Sequence, residues 1–147
     1  MAAGRADVWH AWTTNEGVRT FFAPDSNIDL RLEGPYEIFF NPDPKAAVRG
    51  AQDCKVLSFL TNEMVSFTWS APPVFPELRK QRSFVVVQLS DAGPNRTHVR
   101  LVHAGFGSSE EWNKVADYFE KAWPTVLEKL QRRFESGPID WSALKPG

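Results

Sequence analysis

A long amphipathic helix with a proline inside it constrains this fold more than any other feature. The segment EEWNKVADYFEKAWPTVLEKL begins at Glu110 and ends at Leu130. At 100° per residue, its apolar side chains fall within an arc of roughly 120°, and such a stripe must be buried against another element. The stripe consists of Trp112, Val115, Ala116, Phe119, Trp123, Val126, Leu127, Leu130 and Phe134. The rest of the chain must therefore supply a large apolar partner surface.

Pro124 removes one backbone donor from this helix and clashes with the carbonyl of Glu120. In a helix interior this costs roughly 3 kcal/mol. We expect the helix to bend or split near Trp123, because a bend would let it follow a curved sheet. The alternative is that Pro124 is merely tolerated because burial of the stripe outweighs its cost.

The partner surface is predicted to be an antiparallel sheet. Period-two alternation of apolar residues indicates strands near residues 28–32, 36–40, 52–59, 64–70, 82–89 and 97–104. A first helix over residues 5–12 precedes them, and Thr13 with Glu16 forms a predicted capping box for a second helix that ends near Phe22. Ser108 with Glu111 forms a second predicted capping box, before the long helix. Segregated helices and a meandering sheet make the predicted fold class α+β.

The chain has 147 residues, which predicts one domain over 1–147. Residues 139–147 form a C-terminal tail that either folds back or docks onto a neighbour. The net charge is −1 with both signs interspersed, so nucleic acid and an anionic membrane are not expected partners. No apolar run approaches the ~20 residues of a membrane span. A single cysteine, Cys54, and the absence of zinc spacing or a phosphate-binding loop predict no disulfide, metal or cofactor, and fit a cytoplasmic protein.

Several blocks resemble one known family. DVWHAWT, MVSFTWS, THVRLVHAGF and the long helix with its central tryptophan occur in the order found in the Hsp90-ATPase-activator-homologue-like branch of the START/Bet v 1 superfamily, and Gly34-Pro35-Tyr36 lies where that family has a Gly-Gly-aromatic turn. The resemblance covers about residues 6–134. It implies a helix-grip fold, in which a curved antiparallel sheet wraps around the C-terminal helix and encloses a cavity. It also implies either binding of small hydrophobic ligands or a co-chaperone role.

The chain departs from the family at its start, where only Met1 to Arg5 precede the first block and the family has a strand. Without that strand, residues 97–104 would be a bare sheet edge. The strand register also implies an outward apolar patch formed by Phe84, Val86 and Val102. Together these features predict a homodimer through this part of the sheet. The alternative is a misassigned start, with the missing strand upstream.

The aromatic residues are the candidate ligand-binding set, because a curved sheet and one helix rarely fill their interior and ligand cavities are mostly apolar. A plain apolar core is the competing interpretation. The candidates are Tyr36, Phe40, Phe67, Trp69, His103, Trp112, Phe119 and Trp123.

The sequence is compatible with three functions. The first is a binding protein for an apolar or aromatic ligand, and the second is an interaction module of the co-chaperone kind. The third is a cyclase-type or hydrolase-type enzyme, for which only His103 offers acid–base chemistry, so we expect no catalytic residue. A basic cluster formed by Arg79, Lys80 and Arg82 could guide an anionic ligand to the mouth of the cavity.

Overall fold

A computed structural model describes residues 1–144. The fold class is α+β, with two N-terminal helices, six strands and a long C-terminal helix in the predicted order. The elements are α1 Arg5–Thr13, α2 Asn15–Val18, β1 Asp25–Ile28, β2 Tyr36–Phe39, β3 Val56–Leu60, β4 Met64–Trp69, β5 Ser83–Asp91, β6 Thr97–Ala104 and α3 Glu110–Ser136, with short 3-10 turns at Leu78–Lys80 and Trp141–Leu144.

The strands form two antiparallel sheets that adjoin each other. β1 pairs with β2, and β3, β4, β5 and β6 pair in chain order. Two isolated bridges, Pro35 with Lys55 and Phe39 with Gly50, connect the β2 region to the chain that leads into β3. The curved sheet and the helix α3 give the helix-grip arrangement that the sequence predicted.

The hydrophobic core lies between the sheet and the helices. On β5 the inward residues Val85, Val87 and Leu89 are buried, as the period-two pattern predicts. The stripe of α3 is buried at five positions, Trp112, Val115, Phe119, Trp123 and Leu130. Burial of the stripe against the sheet is thus what fixes α3 in place.

The first capping prediction is wrong by one residue. Thr14, not Thr13, precedes α2, and its hydroxyl accepts a hydrogen bond from the Gly17 amide at 2.8 Å. Thr13 ends α1, and its hydroxyl donates to the Trp9 carbonyl at 2.7 Å. α2 begins after α1 has ended. At this boundary Gly17 lies so close to α1 that a side chain at position 17 would clash with it.

The strand predicted over residues 28–32 is also misplaced. β1 ends at Ile28, because the Asn15 side chain accepts a hydrogen bond from the Ile28 amide at 2.8 Å and holds this end of the strand. The chain then turns, with the Arg31 amide bonded to the Asp29 carbonyl. Leu32 is consequently 65% exposed instead of lying in the core.

The helix α3 runs without interruption over 27 residues and through Pro124. It therefore does not split near Trp123. The side chain of Ser109, not Ser108, caps its first turn by accepting from the Trp112 amide at 3.2 Å. In the part of the chain that the structure describes, no helix is long and apolar enough to cross a membrane.

The C-terminal tail folds back onto its own domain. The Ile139 amide donates to the Thr20 carbonyl at 2.9 Å, and the Trp141 indole donates to the Arg19 carbonyl at 2.6 Å. Residues 145–147 of the predicted tail lie outside the described residues.

Replacing Pro124 should stabilise the protein, because the helix is continuous at this exposed position and tolerates the proline at a cost. We expect Pro124→Ala to raise the free energy of unfolding by about 1–3 kcal/mol, measured by urea denaturation. The matched control is Thr125→Ala at the next exposed position, which should change it by less than about 0.7 kcal/mol. An unchanged or lower value for Pro124→Ala would show that the proline does not destabilise this helix.

Candidate functional site: two grooves beside a wall of rings

Three of the predicted ligand-binding residues belong to the filled core. The Tyr36 and Phe67 rings are fully buried and stacked with their centroids 3.9 Å apart. The Tyr36 hydroxyl donates to the Trp12 carbonyl at 2.6 Å, and burial raises the pKa of this phenol well above its ordinary value. Trp112 is also buried, with its ring 6.0 Å from that of Phe106. These side chains fill the interior and line neither of the grooves described below.

Three other predicted residues form a wall of rings that runs from the sheet to α3. We call Trp69, Phe119 and Trp123 the ring wall. The Trp69 and Trp123 centroids are 5.2 Å apart, and Phe119 and Trp123 stack at 6.1 Å. Trp69 faces one surface groove, Trp123 faces a second, and Phe119 borders both. The ring wall thus separates two grooves, and both are open at the surface.

The first groove, which we call the aromatic cleft, has a volume of about 320 Å³. The connection between β2 and β3, the proline-rich loop after β4 and the N-terminal half of α3 build it. Its apolar rim includes Phe40 and Tyr118, which are 49% and 52% exposed. The lining residues are Phe40, Asn41, Val48, Arg49, Gly50, Ala51, Trp69, Pro72, Pro73, Arg79, Tyr118 and Phe119.

Arg79 places a positive charge in this apolar cleft. Its guanidinium donates to the Gly50 carbonyl at 2.7 Å and to the Ala71 carbonyl, and no carboxylate of residues 1–144 lies within ion-pair distance. Burial, and then the nearby Arg82, lower the pKa of Arg79. The other arginine of the cleft, Arg49, is already paired with Asp25 at 2.7 Å. Arg79 therefore carries the charge that is available to a ligand.

The second groove, which we call the edge groove, lies between β6 and α3 and has a volume of about 330 Å³. Leu101, His103 and Phe106 line it on the sheet side. Ala116, Phe119, Glu120, Trp123, Pro124 and Leu127 line it on the helix side. The groove is mostly apolar, with His103 and Glu120 as its ionisable residues.

Both ring nitrogens of His103 are already occupied. The Trp123 indole N–H, which can only donate, is 3.0 Å from His103 Nδ1, so Nδ1 must accept. Nε2 therefore carries the proton and donates to the Ser83 hydroxyl at 2.7 Å. Burial lowers the pKa of this imidazole to about 4. His103 thus fixes Trp123 against β6 and offers no free nitrogen to a reacting group.

The outward patch predicted on the sheet has the expected orientation. Val86 pairs directly with Val102 across β5 and β6, and Phe84 pairs with Ala104 beside them. Phe84 is 38% exposed, while Val86 and Val102 are half-buried. These three residues therefore form one continuous apolar area on the face opposite α3.

The described residues give little support to a metal site or to a reactive thiol. Over residues 1–144 no group of three His, Cys, Asp or Glu side chains is placed to hold a metal ion. Cys54 is fully buried, and burial raises the pKa of its thiol. Cys54 is consequently a poor nucleophile.

Comparison with known proteins identifies the family. Residues 2–135 match the profile described as "Activator of Hsp90 ATPase homolog 1-like protein". The chain belongs to this family. A search of curated proteins finds no match.

Solved structures with the same fold include three informative relatives. Protein MLL2253 from Mesorhizobium loti is 22% identical, with a TM-score of 0.72 over 95% of this chain and 94% of the other. The Aha1 dimer from Colwellia psychrerythraea is 20% identical, with a TM-score of 0.69 over 93% and 92%. An Hsp90 activator from Plasmodium falciparum is 14% identical, with a TM-score of 0.62 over 90% and 86%. At these identities the likeness establishes the fold.

The buried imidazole of His103 predicts a specific pH dependence of stability. The unfolded imidazole has an ordinary pKa near 6.5, whereas the folded one titrates at about 4. As the pH falls from 6.5 to 4, the unfolded state therefore binds the proton first, and the free energy of unfolding decreases. His103→Gln should make this decrease smaller, as measured by urea denaturation at several pH values.

The matched control is His98→Gln, on an exposed position of the same strand. This variant should show the same decrease in the free energy of unfolding between pH 6.5 and 4 as the wild type. If His103→Gln shows the same decrease between pH 6.5 and 4 as the wild type, His103 is not buried in its neutral form.

Proposed function

We propose that this protein binds a small apolar or aromatic ligand with an anionic group in the aromatic cleft. The observation that carries the proposal is Arg79, a half-buried guanidinium bonded only to backbone carbonyls among aromatic and proline side chains. Of the predicted ligand-binding residues, Phe40, Trp69 and Phe119 line this cleft. Together they specify a ligand with a flat or chain-like apolar body and a carboxylate or similar anion.

The surroundings of the Arg79 guanidinium favour an anionic ligand. A partly desolvated cation in an apolar site is costly unless it is paired. A carboxylate can accept two parallel N–H bonds from a guanidinium, which adds both energy and orientation. The hydrophobic rim would bury the apolar part of the ligand, as is typical of small-molecule sites.

A homodimer in a cytoplasmic setting is part of the same proposal. The outward apolar patch of Phe84, Val86 and Val102 supports a partner surface, and one relative of the same fold is described as a dimer. The buried, unpaired Cys54 is compatible with a reducing compartment.

A co-chaperone or regulatory interaction module is the second candidate function. The family description favours it, and the packed aromatic core around Tyr36 and Phe67 supports a role for the surface of the domain. The rate of ATP hydrolysis by Hsp90 with and without this protein tests the alternative directly. A stimulation that is retained when Arg79 is replaced would favour the interaction module over ligand binding in the cleft.

Replacing Arg79 should weaken the binding of an anionic aromatic probe selectively. With 1-naphthoate as the probe, we expect Arg79→Gln to reduce the affinity at least tenfold, since hydrogen bonds to charged groups contribute roughly 1.5–3 kcal/mol. The uncharged probe 1-naphthylmethanol should bind the wild type and the variant equally. Isothermal titration calorimetry gives both affinities, and the quenching of tryptophan fluorescence gives an independent readout near Trp69.

The matched control is Arg82→Gln, because Arg82 is exposed, bonds to Ser70 and does not line the cleft. It should leave the affinity for 1-naphthoate unchanged. The proposal is wrong if the wild type binds neither probe, or if Arg79→Gln and Arg82→Gln have the same effect. Circular dichroism checks that each variant is folded.

A further inference from the structure

The aromatic cleft adjoins a further groove that runs along one side of α3. This groove, which we call the α3 groove, has a volume of about 710 Å³. Phe40 and Tyr118 line both spaces, so the cleft and the α3 groove meet at two exposed rings. The lining residues of the α3 groove are Phe40, Lys114, Asp117, Tyr118, Lys121, Ala122, Thr125, Val126 and Lys129. A ligand in the cleft can therefore continue past the two rings onto the surface of α3.

Lys129 is a half-buried cation at the C-terminal end of the α3 groove. Its ammonium lies 5.8 Å from the centroid of the Trp141 ring. No carboxylate of residues 1–144 lies within ion-pair distance of it, and no residue three or four positions away on α3 is acidic. These residues are Thr125, Val126, Arg132 and Arg133. An anion beside Lys129 would therefore offset the cost of its partial desolvation.

The other two lysines of the α3 groove lie in a different environment. Lys114 and Lys121 are exposed. Asp117 follows Lys114 by three residues and precedes Lys121 by four, so its carboxylate lies on the same side of the helix as both. Water and Asp117 thus compensate these two charges. Lys129 is the cation that resembles Arg79, since both are half-buried and neither has a carboxylate partner in residues 1–144.

We propose that the ligand of the aromatic cleft is an elongated dianion, with one anionic group bound to Arg79 and the other to Lys129. This inference rests on the ligand binding proposed above and specifies the chemical class of the ligand. The apolar body would cross the two shared rings and lie along the half-buried Ala122 and Val126. The two charged ends would then meet the two half-buried cations, and the middle of the ligand would contact only apolar and aromatic side chains.

The separation of the two ends of the site sets the length of this ligand. Tyr118, at the boundary of the cleft, and Lys129 are 11 residues apart in α3. At 1.5 Å per residue, this corresponds to about 16 Å along the helix axis. An extended α,ω-dicarboxylate such as dodecanedioate has a length of this order, whereas hexanedioate is too short to reach both cations.

Two probes of equal chain length test the second anion site. Dodecanedioate carries a carboxylate where dodecanoate carries a methyl group. On an apolar surface without a cation, this carboxylate would weaken binding, because it loses part of its hydration. We expect dodecanedioate to bind at least about threefold more tightly than dodecanoate, because a charge-assisted hydrogen bond to Lys129 would outweigh that loss. Isothermal titration calorimetry below the micelle-forming concentration of dodecanoate gives both affinities.

Replacing Lys129 should remove this difference between the two probes. In Lys129→Gln, and in Lys129→Met, which keeps an apolar stem, dodecanedioate should bind no more tightly than dodecanoate. Arg79→Gln should weaken the binding of both probes. The matched control is Arg132→Gln, which removes one positive charge from an exposed position of α3 that does not line the groove. This control should keep the preference for dodecanedioate.

A shorter pair of probes tests where the second anion binds. Hexanedioate should bind no more tightly than hexanoate, because its second carboxylate cannot reach Lys129. If hexanedioate shows the same gain as dodecanedioate, the second carboxylate is bound within the cleft, where Arg49 is the other cation. The assignment to Lys129 would then be wrong.

The binding of 1-naphthoate distinguishes a failure of this inference from a failure of the proposed function. If 1-naphthoate binds through Arg79 but dodecanedioate binds no more tightly than dodecanoate, the ligand is not a dianion of this kind and the proposed function stands. The inference also fails if the preference for dodecanedioate persists in Lys129→Gln or is lost in Arg132→Gln. If the wild type binds neither 1-naphthoate nor the two longer probes, both proposals are wrong.

Discussion

The position of Trp123 determines how the helix α3 meets the rest of the molecule. Its ring centroid lies 5.9 Å from that of Phe22 and 5.2 Å from that of Trp69, and its ring stacks on Phe119. Its indole N–H donates a hydrogen bond to His103. One side chain thus joins α3 to the segment after α2, to β4 and to β6. Because aromatic contacts have preferred geometries and the hydrogen bond fixes the ring plane, the helix has little freedom to rotate or slide on the sheet.

The ring wall also explains why the aromatic cleft and the edge groove are separate. The interior that a curved sheet and a helix leave between them is filled by large side chains, among them Tyr36, Phe67 and the ring wall. Space remains on each flank of the wall, in the aromatic cleft and in the edge groove. One flank carries an arginine among aromatic side chains, and the other carries Leu101 and His103 of β6 beside an apolar helix surface. The two flanks are therefore suited to different partners, and one can be occupied without the other.

The sequence predicted those elements whose formation depends on burial. The alternation in β4, β5 and β6 and the stripe of α3 indicate which face is covered, and the structure agrees for residues such as Val85 and Trp123. Helix boundaries that depend on local hydrogen bonds could be predicted less well from the sequence. Thr13 and Thr14 are equivalent in the sequence, and only the turn between α1 and α2 decides which hydroxyl caps the helix. Likewise, Ser109 and not Ser108 meets the first turn of α3.

The candidate site was predictable in its residue types more than in its arrangement. Aromatic richness indicated a ring-lined space, but no periodicity shows that Tyr36 and Phe67 stack in the core while Phe40 lies at a rim. Arg79 stood out only as part of a basic cluster. Its environment comes from the carbonyls of Gly50 and Ala71, which lie far from each other in the chain and meet only after the loops have folded.

The pairing of Met1 with Thr97 has a practical consequence for anyone who produces this protein. Since Met1 lies antiparallel to Thr97, residues that stand ahead of it would be directed along the outer edge of β6. An affinity tag at the amino terminus would then lie against this edge and could pair with its backbone groups. A tag placed after the Trp141 turn would leave from the opposite end of the chain, where the tail is held by α2 and its neighbouring residues, and is the safer choice for work on this surface.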